Sequence, residues 1–354
     1  MASRAPVPVT PMAPHPAAYD AQLIGIQQAL EQDEPARAAA LAAAAAATAP
    51  ALPEAYLLWG RALAHQDLLE PSAEHYQLAR ARGSRARDLF VELGNVLDVL
   101  QRYDEAIVVY RDWLRDHPQD LDLRQELGLT LLLTQDTAGA IKELQLAAEA
   151  APRDRQLQLD LGQALTQGRR YGEAIQLMAP ACSQAPLEAC RFMAQAQAGL
   201  GQLQPALGLL DRLLTARPQE DGARALRAKL RLATADARGA LADYELLRAE
   251  DPSDAQAQLG AAAAQIALQD FPSALKSIAL AARQGDSPRV RFRRAQVGWR
   301  TGDRQALVTL LQLAQGPLDN AAAWAEVLAA GQALQDSGAV TLAKIRGKAP
   351  VEGP

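Results

Sequence analysis

Two cysteines and four histidines are the side chains of this 354-residue sequence best suited to redox or metal chemistry. Cys182 and Cys190 are too few for a disulfide-stapled scaffold and too far apart for the close pair of a zinc site. Two readings stay open: small residues packed in a helical core, or a bridge across a tight turn, which would imply an oxidising compartment. His15, His65, His75 and His117 never form the i, i+4 pair of a helical metal site. Gly199-Leu200-Gly201 lacks the third glycine and the preceding strand of a dinucleotide fingerprint, and no Gly-Lys-Ser/Thr phosphate loop occurs. Asp251 and Asp254 fall at a turn, where such residues cap helices. These side chains predict no enzyme, no cofactor and no metal. What they offer is recognition by charge and apolar contact.

The elements that must position these groups are helices. Apolar residues make up 49% of the chain, enough for a large core, but aromatics are only 4% and Ala and Leu dominate, so the stock that sheets need is thin. The net charge of −5 supplies no global positive field for nucleic acid or an anionic membrane. Of 36 Lys and Arg only five are Lys, leaving 31 Arg, a bias expected of a GC-rich bacterial gene. Prolines at 6, 8, 11, 14 and 16 interrupt any apolar signal-peptide core. The sequence as written reads as cytoplasmic; it would read as periplasmic if a signal had been removed. The longest apolar run, Ala38 to Ala47, is far short of the roughly 20 residues needed for a membrane span.

A fixed ruler organises the chain. Gly60, Gly94, Gly128 and Gly162 are each 34 residues apart, and Pro118, Pro152, Pro186, Pro218 and Pro252 follow at 34, 34, 32 and 34. Twelve positions after the glycines stand Ser72, Ala106, Ala140 and Ala174. Around each glycine the apolar residues keep one helical face, as in Phe90, Leu93 and Leu97. A second apolar set, Ala106, Val109, Tyr110 and Trp113, ends at Pro118. Each repeat is therefore a helix A, a turn and a helix B, with small residues where A crosses B so that the axes can approach. A lone pair would expose an apolar face; stacking buries it, which predicts one continuous solenoid.

These residues resemble the tetratricopeptide repeat family, whose 34-residue pattern runs aromatic, Leu-Gly, Tyr, Ala, aromatic, Ala and Pro. The best copy is 87–120, with Phe90, Leu93, Gly94, Leu97, Ala106, Tyr110 and Pro118. Repeats are expected at 19–52, 53–86, 87–120, 121–154, 155–188, 189–220, 221–254, 255–288 and a shortened 289–316. A disordered leader is expected at 1–18, a capping region at 317–346 with a helix over Leu318 to Leu334, and a disordered tail at 347–354. The resemblance implies an all-α, right-handed superhelical α-solenoid of about nine stacked antiparallel helix pairs plus a capping helix. The pattern lapses where Arg124 and Gln158 occupy an aromatic slot, and where Arg224, Arg227 and Arg231 replace apolar helix A residues.

In this family helix A lines a concave groove with its second, fifth, ninth, twelfth and thirteenth residues. Carried onto this chain, the groove comprises Leu57, Arg61, Asp88, Val91, Asn95, Asp98, Asp122, Gln125 and Leu129, with Glu54, His65, Val99, Leu132 and Leu133 beside them. Apolar side chains among carboxylates suit a peptide or helix carrying apolar anchors and a basic residue; alternatively, Leu129, Leu132 and Leu133 simply pack on neighbouring repeats. Leu57, Val91 and Gln125 stand where a chaperone-tail clamp would need lysine. A second, basic site is expected at Arg289, Arg291, Arg293 and Arg300 beside Phe292 and Trp299, for an acidic partner. The resemblance thus implies a non-enzymatic interaction scaffold or adaptor. Its alternatives are an envelope factor assembling a pilus, secretion or motility complex, and an RNA-associated protein using the arginine cluster, nucleic acid being disfavoured by the net charge.

Overall fold

The computed structural model describes residues 17–183, 187–316, 318, 321–333 and 336–346. The expected disorder at 1–16 and in the tail from 347 lies outside the described residues, while Ala17 and Ala18 already belong to a helix. Among the described residues every regular element is helical.

The packing divides into two compact units, one through Arg170 and one from Tyr171. The first contains α1 (Ala17–Glu31), α2 (Pro35–Thr48), α3 (Glu54–Ala64), α4 (Leu69–Ala81), α5 (Arg87–Val99), α6 (Tyr103–Asp116), α7 (Leu121–Leu133), α8 (Thr137–Ala150) and α9 (Arg155–Gln167). The second contains α10 (Tyr171–Ser183), α11 (Leu187–Gly199), α12 (Leu203–Ala216), α13 (Asp221–Ala233), α14 (Ala237–Glu250), α15 (Ala255–Ala267), α16 (Phe271–Ala282), α17 (Pro288–Arg300), α18 (Gln305–Ala314), α19 (Ala321–Ala333) and α20 (Ser337–Arg346). Within each unit consecutive helices pack as neighbours, and helices two apart also touch, as α1 with α3, α7 with α9, and α13 with α15. This is the arrangement of a helix-pair solenoid.

The turns have a common chemistry. Helix A ends at a residue in the left-handed region: Asp33, Asp67, Gln101, Gln135, Arg169, Ala235 and Gln269, all at positive φ. Helices often stop this way because the left-handed residue folds an amide back onto an orphan carbonyl, here from Arg102 to Leu97 at 2.8 Å. Side chains of Asp120, Asp136, Asp154, Asp236, Asp254 and Asp270 accept from the first-turn amides of the helices they precede.

The core explains the glycine ruler. A Cβ on Gly94 would lie 2.2 Å from the Tyr110 ring, and one on Gly60 would lie 2.6 Å from Tyr76. Only hydrogen at these positions lets the large helix B residue seat across helix A. Tyr76, Phe90, Leu93, Leu97 and Tyr110 are essentially inaccessible.

The polar lapses in the repeat pattern have a use. Gln158 donates to the carbonyl of Pro152 at 2.6 Å, Gln258 to that of Pro252 at 3.0 Å, and Arg124 to that of Pro118 at 2.6 Å. Arg224 likewise reaches Pro218. Each satisfies a turn carbonyl that helical bonding leaves over. In α13 the three arginines are neutralised internally: Arg227 and Arg231 pair with Asp243, which is 2% exposed, at 2.5 and 2.8 Å, and Arg224 pairs with Asp221 at 2.8 Å.

At the chain's end two helices stand where the sequence suggests one. Asp336 precedes α20 and accepts from the Ala339 amide at 2.9 Å, and the helix seats Ala339 and Ala343 in a core shared with α17, α18 and α19. Its signal is weak in sequence because the segment is short and the residues it buries fully are alanines, with only Leu342 packed beside them.

Candidate interaction surface

In the first unit the helices α3, α5, α7 and α9 form a row, and cross-helix bonds define the face they share. Arg61 of α3 donates through Nε to Glu92 of α5 at 2.9 Å and reaches exposed Asp88 at 3.4 Å. Asp98 of α5 accepts from Thr130 of α7 at 2.9 Å. Gln125 of α7 donates to Asp160 of α9 at 2.5 Å.

Four of the nine residues expected on the groove take part in those bonds: Arg61, Asp88, Asp98 and Gln125. Leu57, Val91 and Leu129 are half-buried. Asn95 is exposed and accepts from the Tyr110 hydroxyl at 3.2 Å; the same hydroxyl lies 3.0 Å from Asp98. Asp122 is exposed and pairs with Arg87 at 2.7 Å. Leu132 is buried, so it packs in the core, whereas Val99 and Leu133 are 67% and 58% exposed.

The sequence reading missed the sixth position of helix A. Glu92, Glu126 and Asp160 stand there, again 34 residues apart, so the ruler that found the glycines could have found them. Burial raises the proton affinity of Asp98, against the bonds from Thr130 and Tyr110. Burial also raises that of Glu126, and the neighbouring charges of Asp98, Asp160 and Asp122 add to it. Asp160 is raised by burial too, against its bonds from Gln125 and Gln156. Glu92 is neutralised by Arg61, but Asp98, Glu126 and Asp160 have no ion-pair partner among the described residues. Asp98 Oδ1 is buried with no hydrogen bond. Such carboxylates favour a cation brought from outside.

The second unit distributes its arginines unevenly. Arg291 and Arg294 approach Asp286 at 4.0 and 3.4 Å, and Arg300 reaches Glu326 at 3.3 Å, so Arg291 and Arg300 are occupied. Arg293 donates to Gln296 at 2.6 Å, and Arg289 is exposed. The expected basic site is therefore divided: of its four arginines, Arg289 and Arg293 have no carboxylate in ion-pair range among the described residues.

Cys182 at the end of α10 and Cys190 in the first turn of α11 are joined by a disulfide, which resolves the two readings in favour of the bridge. Among the described residues no cluster of His, Cys, Asp or Glu is arranged to hold a metal, and no helix is long and apolar enough to cross a membrane.

Comparison with known proteins agrees with this architecture. The family described as Tetratricopeptide repeat matches residues 91–155 and 126–189. A tetratricopeptide repeat protein from Parabacteroides merdae is similar in structure, with 15% identity, a TM-score of 0.55, and 70% of this chain and 99% of that one covered. The C-terminal part of a TPR repeat-containing protein from Cytophaga hutchinsonii gives 16% identity and a TM-score of 0.52, covering 67% and 98%. The human IFIT1 dimer with PPP-AAAA gives 12% identity and a TM-score of 0.52, covering 94% and 90%. At these identities the likeness is one of fold. No curated protein sequence matches the chain.

Proposed function

We propose, since the chain is a tetratricopeptide-repeat protein, that it is a non-enzymatic adaptor whose first unit docks a basic segment of a partner protein. Repeats of this kind present surface, and the partner is chosen by the side chains on it. The carrying observation is the cation-free set Asp98, Glu126 and Asp160 beside exposed Val99 and Leu133. A lysine or arginine would pair with the half-buried Asp98 and Glu126, with buried Asp160 adding negative charge behind them, while an adjacent apolar side chain covers the valine and leucine. The half-buried Leu57, Val91 and Leu129 extend the apolar part of the strip.

The test is an in-cell crosslinking pull-down of the intact chain beside Asp88→Arg/Asp122→Arg. Both carboxylates are exposed, at 67% and 82% of the side chain, and their surface pairs with Arg61 and Arg87 are worth only about 0–1 kcal/mol each. Helicity and melting should hold while the principal partner is lost. Partners retained at wild-type level would refute docking at this face.

The bridge between Cys182 and Cys190 favours a second reading, of the same adaptor working in an oxidising envelope compartment as an assembly factor. Fractionation of cells with thiol trapping tests it: a bridged, envelope-located protein supports this reading, and a reduced cytoplasmic one refutes it. The RNA reading draws less support, because Arg224, Arg227, Arg231, Arg291, Arg294 and Arg300 already face carboxylates.

A further inference from the structure

The second unit contains a cavity of about 640 Å³ between α13, α15 and α17, with Leu318 and Ala323 also on its lining. That volume is within the range of specific ligand sites, roughly 300–1,000 Å³. Small side chains on the lining leave it open: Ala225 on α13 and Ala263 on α15. The bare side of Gly260 is taken by the Tyr244 ring, 2.2 Å from where a Cβ would stand. Leu232, Leu247, Leu259 and Phe292 supply apolar wall.

The charges are arranged selectively. Lys229, Arg289 and Arg293 line the cavity, and none has a carboxylate within ion-pair range among the described residues. On the same two helices every other cation is paired: Arg224, Arg227 and Arg231 on α13, and Arg291, Arg294 and Arg300 on α17. The two acids on the lining are committed elsewhere, Asp221 to Arg224 at 2.8 Å and Asp254 to the Gln256 amide at 2.7 Å. Arg293 is held in place by Gln296, which in turn donates to Glu326 at 2.9 Å, so Glu326 reaches it through one intervening side chain. Burial lowers the Arg293 guanidinium below its ordinary value, against the raising influence of Glu326 and Tyr244. A crowded cation without a counter-charge beside apolar wall is complementary to an anion attached to an apolar group.

We propose that this cavity is a docking site for an acidic segment of a partner protein, in which a large apolar side chain fills the space over Ala225 and Ala263 and flanking carboxylates pair with Arg293 and with Lys229 or Arg289. This site is separate from the carboxylate face of the first unit and of opposite sign, so either can fail without the other. The chain would then hold two partner segments of unlike charge.

The experiment uses the full oxidised chain and a blocked, fluorescein-labelled decapeptide of alternating glutamate and leucine, read by fluorescence anisotropy. Saturable binding is expected, weakened about tenfold or more by Arg293→Gln or Lys229→Gln, as loss of one charge-assisted bond requires. Exposed Arg238 on α14 lies outside the cavity, so Arg238→Gln should bind as wild type. Ala263→Phe, which fills the space and leaves the charges, should also abolish binding. Circular dichroism should show Arg293→Gln melting no lower than wild type, which separates lost binding from lost folding. The proposal is overturned by absent saturable binding, by equal binding to wild type and Arg293→Gln, or by equal binding of the glutamine-for-glutamate peptide. Preference for decanoate or an oligoribonucleotide over the peptide would overturn it as well.

Discussion

Asp98 of α5 accepts a hydrogen bond from Thr130 of α7 at 2.9 Å through one carboxylate oxygen, while its other oxygen is buried without a partner. Two repeats are thereby tied together by a group whose bonding is incomplete. An ion pair would complete it, and no cation of the described residues supplies one. The bond that aligns α5 with α7 also sets part of the acidic face.

That face should carry a pH signature. Asp98, Glu126 and Asp160 have folded-state proton affinities raised by burial. For a raised carboxylate the folded chain binds a proton that the unfolded chain has released, so stability falls as pH rises through the window between the two values. Glu126→Gln removes one such charge and should raise the melting temperature at pH 7. The gain should shrink as pH falls toward the ordinary glutamate value of 4.5. Asp112 behaves oppositely, since Arg80 holds its carboxyl below the usual range; its contribution is present above the ordinary aspartate value and lost as pH falls through the depressed one. Melting curves of wild type and variant from pH 4 to 7 check the sign: a constant difference across the range would contradict it.

Gly94 is the most demanding position of the ruler. Gly94→Ala places a methyl group within 2.2 Å of the Tyr110 ring, and overpacking of this kind costs roughly 1–3 kcal/mol. In a Tyr110→Leu background the same substitution should cost less, because neighbouring sites are not additive. Urea denaturation of the four proteins of this cycle measures the coupling, and strict additivity would show that the ring is not the obstacle.

Asp243 binds two arginines while only 2% exposed. Removing one member of a buried ion pair leaves uncompensated charge, a cost of about 3–5 kcal/mol. Asp243→Ala should therefore destabilise the second unit and leave the first nearly unchanged, as hydrogen exchange resolved by segment would show. Equal loss of protection in both units would count against this local account.

The disulfide closes a loop with a sequence separation of eight. Loop-closure entropy for so short a segment is roughly 2–3 kcal/mol. Reduction, or Cys182→Ser with Cys190→Ser, should lower the stability of the second unit by that amount, and its melting temperature with it, without changing its helix content. Calorimetry with and without reductant reads it directly.

Helix existence and repeat spacing were legible in the residues alone because they depend on local periodicity: the glycines at 60, 94, 128 and 162 mark where A crosses B, and the prolines at 118, 152 and 252 mark where B ends. The carboxylates at 92, 126 and 160 obey the same period, one position past the fifth-place groove residues of the family, so they too are legible in the residues. Other features had no local signature. Which arginines are free depends on partners as distant in sequence as Arg300 from Glu326, and the cavity beside Lys229 and Arg293 exists only where helices of three repeats meet. Sequence determined the repeating backbone, since each helix and turn is specified by neighbours a few residues away. Tertiary structure decided which charges are neutralised and which remain available, because pairing is settled by distance in space between side chains that the repeats bring together.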